Sequence, residues 1–173
     1  MSHITSFAPI ENSAANILIL GSMPSVASLH ANQYYAHSRN LFWRIMATLI
    51  QLDPDSPYEQ RIEALQHAQI ALWDVLHSCK RQGSLDTSID KTSQNPNDFS
   101  TFFLQHTHIT HVFFNGIVAE QSYRKLVLPD LSIQHIEYLR LPSTSPANAS
   151  IPYDQKLAAW QAIRCASGMS KLD

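Results

Sequence analysis

The chain has 173 residues, 45% hydrophobic and 15% charged, with a formal net charge of −2. That composition excludes a disordered chain, and no apolar run approaches the roughly 18 residues needed to span a bilayer. The charge excludes a broad basic footprint for nonspecific nucleic-acid binding, but a few placed Arg and Lys residues can still hold a short run of phosphates.

Residues 1–173 read as one domain, with its core over about 16–166, long enough to bury roughly two-thirds of its unfolded surface. Met1-Ser2-His3-Ile4-Thr5 lacks the basic start and apolar stretch of a signal peptide. Cys79 and Cys165 are far apart without ligand-like spacing, as expected of incidental thiols in a reduced, cytoplasmic protein.

In chain order, Asn16-Ile17-Leu18-Ile19-Leu20-Gly21 is an apolar run closed by Gly, the pattern of a strand buried on both faces. Leu41, Phe42, Ile45, Met46, Leu49 and Ile50 follow helical spacing and predict an amphipathic helix over about 39–52. Ser56-Pro57-Tyr58-Glu59 reads as an N-cap Ser, a Pro at the first helical position and a Glu that completes a capping box, with Ile62 and Leu65 inward.

Gln69 to Leu76 predicts a second strand, and 77–97 the longest irregular stretch, of a length that tends to be functional or mobile. A helix follows around Asp98–Gln105, then a strand over His111–Gly116, a helix over 117–128, a strand over Ser132–Leu141 and a last helix over Tyr153–Ala166.

This alternation predicts an α/β fold: three layers, α/β/α, around a mostly parallel four-stranded sheet with helices on both faces. Ligands bind such sheets outside the carboxyl ends of the strands. The loops at 21–40, 77–97, 115–118 and 142–150 fall on that edge, which is where the site is expected.

Two of these loops carry the chemistry. Tyr34-Tyr35-Ala36-His37-Ser38-Arg39-Asn40-Leu41-Phe42-Trp43 packs rings, a His, an Arg and an amide just before a helix, and Leu141-Pro142-Ser143-Thr144-Ser145-Pro146-Ala147-Asn148 is a second polar loop. They can form two lips of one cleft that grips a planar heterocycle on a phosphate chain.

The side chain of Asn40 cannot take a proton near neutral pH but can orient a water; it can equally bond its own backbone at a helix start. Tyr34 and Tyr35 offer faces for a base to stack on, or ordinary core burial. Ser143, Thr144 and Ser145 suit phosphate oxygens or a structural turn. A Ser nucleophile has no elbow motif to support it.

His106, His108 and His111 lack a companion motif for metal, so no metal and no cofactor are expected. Asp74, Asp86 and Asp90 have no recognisable partner as general bases, and no Lys is placed for Schiff-base chemistry.

Together these segments resemble the uracil-DNA glycosylase superfamily. Gly21-Ser22-Met23-Pro24-Ser25 is similar to a Gly-Ile-Asn-Pro-Gly-like loop of its mismatch-specific branch. Tyr35-Ala36-His37-Ser38-Arg39-Asn40-Leu41-Phe42-Trp43 is similar to a Phe-Ala-His-Pro-x-Asn-x-Phe-Trp-like segment. Phe114-Asn115-Gly116 matches a Phe-Asn-Gly strand end, and Leu141-Pro142-Ser143-Thr144-Ser145 resembles the Pro-Ser loop that enters the DNA groove.

Met23 replaces the water-positioning Asn of the mismatch and thymine enzymes, and Leu141 replaces the His of the uracil-specific ones. In lacking the polar residue at Met23, and in the string from Gln33 to Trp43, the chain is most similar to the hypoxanthine-DNA glycosylase branch, whose catalytic Asn matches Asn40.

The resemblance implies a monofunctional, base-flipping enzyme acting on damaged DNA as a monomer, with Asn40 as the catalytic residue. It also implies a base pocket of Gly21, Ser22, Met23, Pro24, Tyr35, Phe42 and Asn115, and DNA contacts from Ser143, Thr144, Ser145, Ala147 and Asn148, with Ala147 or Asn148 as wedge. A uracil or thymine mismatch enzyme, a non-catalytic DNA or nucleotide binder and a small serine hydrolase are the rival readings.

Overall fold

The computed structural model describes residues 2–133 and 135–169. Strand β1 (Ser2–Thr5) comes first, then β2 (Ile17–Gly21) with all five residues buried. Helices α1 (Val26–Ala31), α2 (Phe42–Leu49) and α3 (Tyr58–His67) follow, then strands β3 (Ile70–Asp74) and β4 (Leu76–Arg81). The short β5 (Asn95–Pro96), α4 (Phe99–Gln105), β6 (His111–Asn115) and α5 (Ile117–Leu126) come next. Strand β7 (Glu137–Leu141) and helices α6 (Tyr153–Trp160) and α7 (Ala162–Ala166) complete the chain.

The central sheet has the order β3-β2-β6-β7 and is parallel at each pairing. Strand alternation divides the core into two. Ile17 and Ile19 of β2, with Ile70 and Leu72 of β3, pack against α2, α3, α6 and α7. Leu18, Leu20, Ala71 and Trp73 point the other way, onto Phe99, Phe102 and Phe103 of α4 and Tyr123 of α5. Because both faces are covered, the strands read as continuous apolar runs rather than alternating ones. The expected α/β/α sandwich is the fold.

The boundaries differ instructively. The stretch 77–97 is not irregular throughout: β4 pairs antiparallel with β1 and with β5 in a separate three-stranded sheet. Its polar sequence hides it, because its principal partner lies at the far end of the chain, with Thr5 opposite Ser78. Helix α1 was not predicted; Ser25 caps it by accepting the Ser28 N–H at 3.1 Å.

Ser56 is not the cap of α3, whose N-cap position is Pro57. Ser56 is buried, its N–H donates to the Asp53 carbonyl at 3.0 Å and its carbonyl accepts from Arg61 Nε at 2.8 Å. Helix α2 begins at Phe42 rather than near residue 39, because the Leu41 N–H leaves the helix to donate to the Thr144 carbonyl at 3.1 Å. The paired part of the predicted strand Ser132–Leu141 starts at Glu137, and Gln134 of that prediction lies outside the described residues. The predicted last helix is interrupted at Gln161.

Candidate active site

Strands β2 and β3 run side by side in register, so Gly21 and Asp74 end them as neighbours. Beyond these ends opens a narrow cleft walled by 21–25, Tyr35, Asn40, Asp74, Asp86, Asn115 and 143–145. Both predicted lips are therefore present. They are also tied together: besides the Leu41 to Thr144 bond, Asn115 Nδ2 donates to Thr144 Oγ1 and Thr144 N–H returns to Asn115 Oδ1, each at 2.9 Å.

The first lip is pinned from behind. Trp43 Nε1 donates to the Tyr34 carbonyl at 2.7 Å, the Tyr34 hydroxyl donates to the Ala8 carbonyl at 3.0 Å, and the Tyr34 N–H reaches the Tyr58 hydroxyl at 2.9 Å. Tyr34 is thus a core residue. The pinning holds Tyr35 at φ 55, a left-handed conformation uncommon outside Gly and Asn.

One face of the Tyr35 ring lies on Phe42, centroids 4.0 Å apart and planes at 19°. Phe42 itself is fully buried. It stands behind the wall and not on it, because helix α2 turns it into the core, where it seats Tyr35.

Asn40 lines the cleft, and its Oδ1 accepts the Phe42 N–H at 3.0 Å. That bond joins Asn40 to the first residue of α2 and holds its amide at the cleft wall. Met23 lines the same cleft with only 6% of its surface exposed.

On the second lip Thr144 is fully buried, and its hydroxyl and N–H are engaged by Asn115. It is consequently not presented to a phosphate. Ser143 Oγ accepts from Ser145 N–H and Ser145 Oγ from Ala147 N–H, both at 3.2 Å, so these hydroxyls shape the turn. Asn148 is fastened by its Nδ2 to the Ser143 carbonyl at 3.1 Å, and its own carbonyl takes Lys156 Nζ at 2.8 Å.

Ala147 and Asn148 face a second groove beside the cleft, bounded across by Leu85 and Ile117. No histidine lines either opening, which leaves the two serines without the base a hydrolase needs. Two histidines of the 106–111 segment are engaged elsewhere: His106 bonds Glu11 and the Phe102 carbonyl, and His111 lies by Glu137, while His108 is exposed at the surface.

Asp74 and Asp86, which the sequence left without recognisable partners, lie on the cleft floor, and Asp86 has two partners there, Ser22 and Arg81. Asp74 is 3% exposed, and its Oδ2 is buried without a hydrogen-bond partner among the described residues. Burial, reinforced by Asp86 and opposed by Arg81, pushes its carboxyl up to about 8. Asp86 accepts Ser22 Oγ–H at 2.7 Å and lies 3.9 Å from Arg81 Nη1. Burial raises it as well, against the Ser22 bond and Arg81.

The Tyr35 hydroxyl is buried beside Asp74 without a hydrogen-bond partner among the described residues, and burial, then the Asp74 charge, push its pKa far above the usual phenol range, so it stays protonated. A methyl on Gly21 would meet Asp74 Oδ1 and lie 2.9 Å from the Tyr35 hydroxyl, so this strand end requires Gly. The available signal was an Asp closing an otherwise apolar strand, Ile70-Ala71-Leu72-Trp73-Asp74, at the carboxyl edge.

The fold is a three-layer α/β/α protein whose cleft lies at the carboxyl ends of its strands, where such sheets bind ligands. The uracil DNA glycosylase superfamily profile matches residues 8–164. A hypoxanthine DNA glycosylase of Methanosarcina acetivorans is 34% identical over 158 residues, 91% of this chain and 95% of the relative. One of Methanosarcina barkeri is 40% identical over 111 residues, 64% of this chain and 69% of the relative.

A solution NMR structure from Methanosarcina acetivorans, described as a candidate uracil DNA glycosylase, superposes with a TM-score of 0.79 at 31% identity, over 95% of this chain and 99% of the other. The chain belongs to the uracil DNA glycosylase superfamily. It is a DNA glycosylase, an enzyme that hydrolyses the bond between a base and its deoxyribose.

Proposed function

We propose that the chain releases hypoxanthine from deoxyinosine in DNA and leaves an abasic site. The observation that carries this reading is Asn40, whose amide stands on the cleft wall with Oδ1 tied to the Phe42 N–H. The hypoxanthine glycosylases of the two Methanosarcina species support the choice of base.

The damaged nucleotide leaves the helical stack, which costs a few kcal/mol and less for a mispaired base. It enters between the 21–25 and 143–145 lips, with Tyr35 and Asn115 at the pocket wall. As the C1′–N9 bond lengthens, the sugar gains oxocarbenium character and needs only a weak nucleophile. The remaining lone pair of Asn40 Oδ1 holds a water against C1′, and donors fixed around the base stabilise the departing charge.

Ser143, Ser145, Ala147 and Asn148 rest against the DNA, with Ala147 or Asn148 filling the space that the base vacates. No lysine lines the cleft, consistent with an abasic product and an uncut strand. The enzyme works as one domain and as a monomer in the cytoplasm, where its free cysteines Cys79 and Cys165 stay reduced.

Single-turnover release from duplexes carrying inosine or uracil tests the reading. Hypoxanthine should be released, with strand scission only after alkali. Asn40→Ala should slow release on the order of 10²-fold or more with the fold intact. Intact inosine beside excised uracil, or an unchanged Asn40→Ala rate, overturns it.

A further inference from the structure

We infer that Asp74 reads the leaving base as a neutral carboxylic acid, donating its O–H to the base carbonyl while its other oxygen accepts the adjacent ring N–H. This inference rests on the glycosylase reading of the same cleft and adds the residue that recognises the base.

Three observations converge on the floor of the cleft. Asp74 is 3% exposed, lines the cleft, and has a buried Oδ2 with no hydrogen-bond partner among the described residues. A polar atom left this way is costly unless a ligand completes it. Gly21 at the end of the neighbouring strand carries no side chain, so the Asp74 carboxyl reaches across it toward Tyr35.

Finally, two carboxyls share one cation. Arg81 lies against Asp86, and Asp86 also accepts the Ser22 hydroxyl, so Asp86 is the one equipped to hold charge. Asp74 makes neither contact directly and is left to carry the proton. Its surroundings agree: Asp86 and Arg81 from 81–86, and Tyr34 and Tyr35 from the first lip, are the titratable and charged groups that act on it, and its carboxyl is raised to about 8.

A carboxylic acid presents one donor and one acceptor side by side. Hypoxanthine presents the complement, O6 as acceptor and N1–H as donor, and two parallel hydrogen bonds close a planar ring. The pairing strengthens as the reaction proceeds. When the C1′–N9 bond breaks, its electron pair enters the base and part of the charge reaches O6, where the Asp74 O–H meets it. Asp74 keeps its proton; the water supplies hydroxide to C1′ and a proton to the base. An ionised carboxylate at the same place would repel that charge.

The test uses Asp74→Asn, which has the same shape and also offers one donor beside one acceptor, but does not titrate. Asp74→Ala removes both. Single-turnover release from inosine duplexes is timed from about pH 6 to about pH 9.5 for each. The wild type should lose rate above about pH 8, approaching tenfold per pH unit.

Asp74→Asn should stay within about tenfold of the wild type at neutral pH and lose that alkaline fall, whereas Asp74→Ala should drop about 10²-fold or more at every pH. Thermal melts of both variants establish that they fold. Asp74→Asn as inactive as Asp74→Ala, or retaining the alkaline fall, overturns the inference. If the wild type spares inosine and excises uracil, the choice of hypoxanthine fails separately, and the same pH comparison on uracil, which offers N3–H beside O4, decides the role of Asp74.

Discussion

Asn115 and Thr144 exchange two hydrogen bonds of 2.9 Å each, one between side chains and one from the Thr144 backbone. This bracket ties the end of β6 to the 143–148 loop, and the Leu41 N–H to the Thr144 carbonyl extends it to the opposite lip. The cleft is therefore held open as a built shape before any substrate arrives, so that less ordering remains to be done on binding.

Thr144→Val keeps the shape of the side chain and leaves the Asn115 amide without its acceptor. Because the site is fully buried, the expected loss is about 1–3 kcal/mol. Chemical denaturation gives the stability, and titration with an abasic duplex should show weaker binding. Unaltered stability would mean that the bracket contributes nothing net.

Gly116 sits at φ 98, and a methyl there would come within 2.8 Å of Ser143 Cβ. Gly116→Ala should push the second lip outward and destabilise the protein by about 1–3 kcal/mol. Denaturation and single-turnover rates together report it, with the rate falling even where the variant remains folded.

The Tyr35 hydroxyl is buried with no hydrogen-bond partner among the described residues. Removing it as Tyr35→Phe keeps the ring on Phe42 and deletes only the orphan. The free protein should be as stable as the parent or up to about 1 kcal/mol more stable. A clear drop in melting temperature would show that the hydroxyl has a structural partner.

Asp74 also makes stability depend on pH. Its carboxyl rises from 3.8 to about 8 on folding, so between those values the folded chain binds the proton that the unfolded chain has released. The stability it contributes is complete below pH 3.8 and declines as pH climbs toward 8, with a slope of at most about 1.4 kcal/mol per pH unit. Asp74→Asn should remove this component, which denaturation at a series of pH values measures by difference. Equal slopes for the two proteins would show that Asp74 is charged throughout.

Much of the architecture was legible in the chain. The runs Ile17-Leu18-Ile19-Leu20 and His111-Val112-Phe113-Phe114 announce strands covered on both faces, and their alternation with helical periods leads to the parallel sheet and its ligand-binding edge. The antiparallel pairing of β1 with β4 was not legible, because Ser2 finds Arg81 only in the folded chain. Phe42 looked like a pocket residue by its place in a motif, but its position on α2 turns it into the core.

The sequence by itself thus determined which segments are buried, how they alternate and which loops meet, since periodicity is a local record of which side of an element faces water. Only the tertiary structure decided that Asp74 forms no ion pair among the described residues, that Thr144 is closed off and that Asn40 lines the cleft. Protonation and hydrogen-bond partnership depend on distances between groups remote in the chain, and no local pattern encodes those distances.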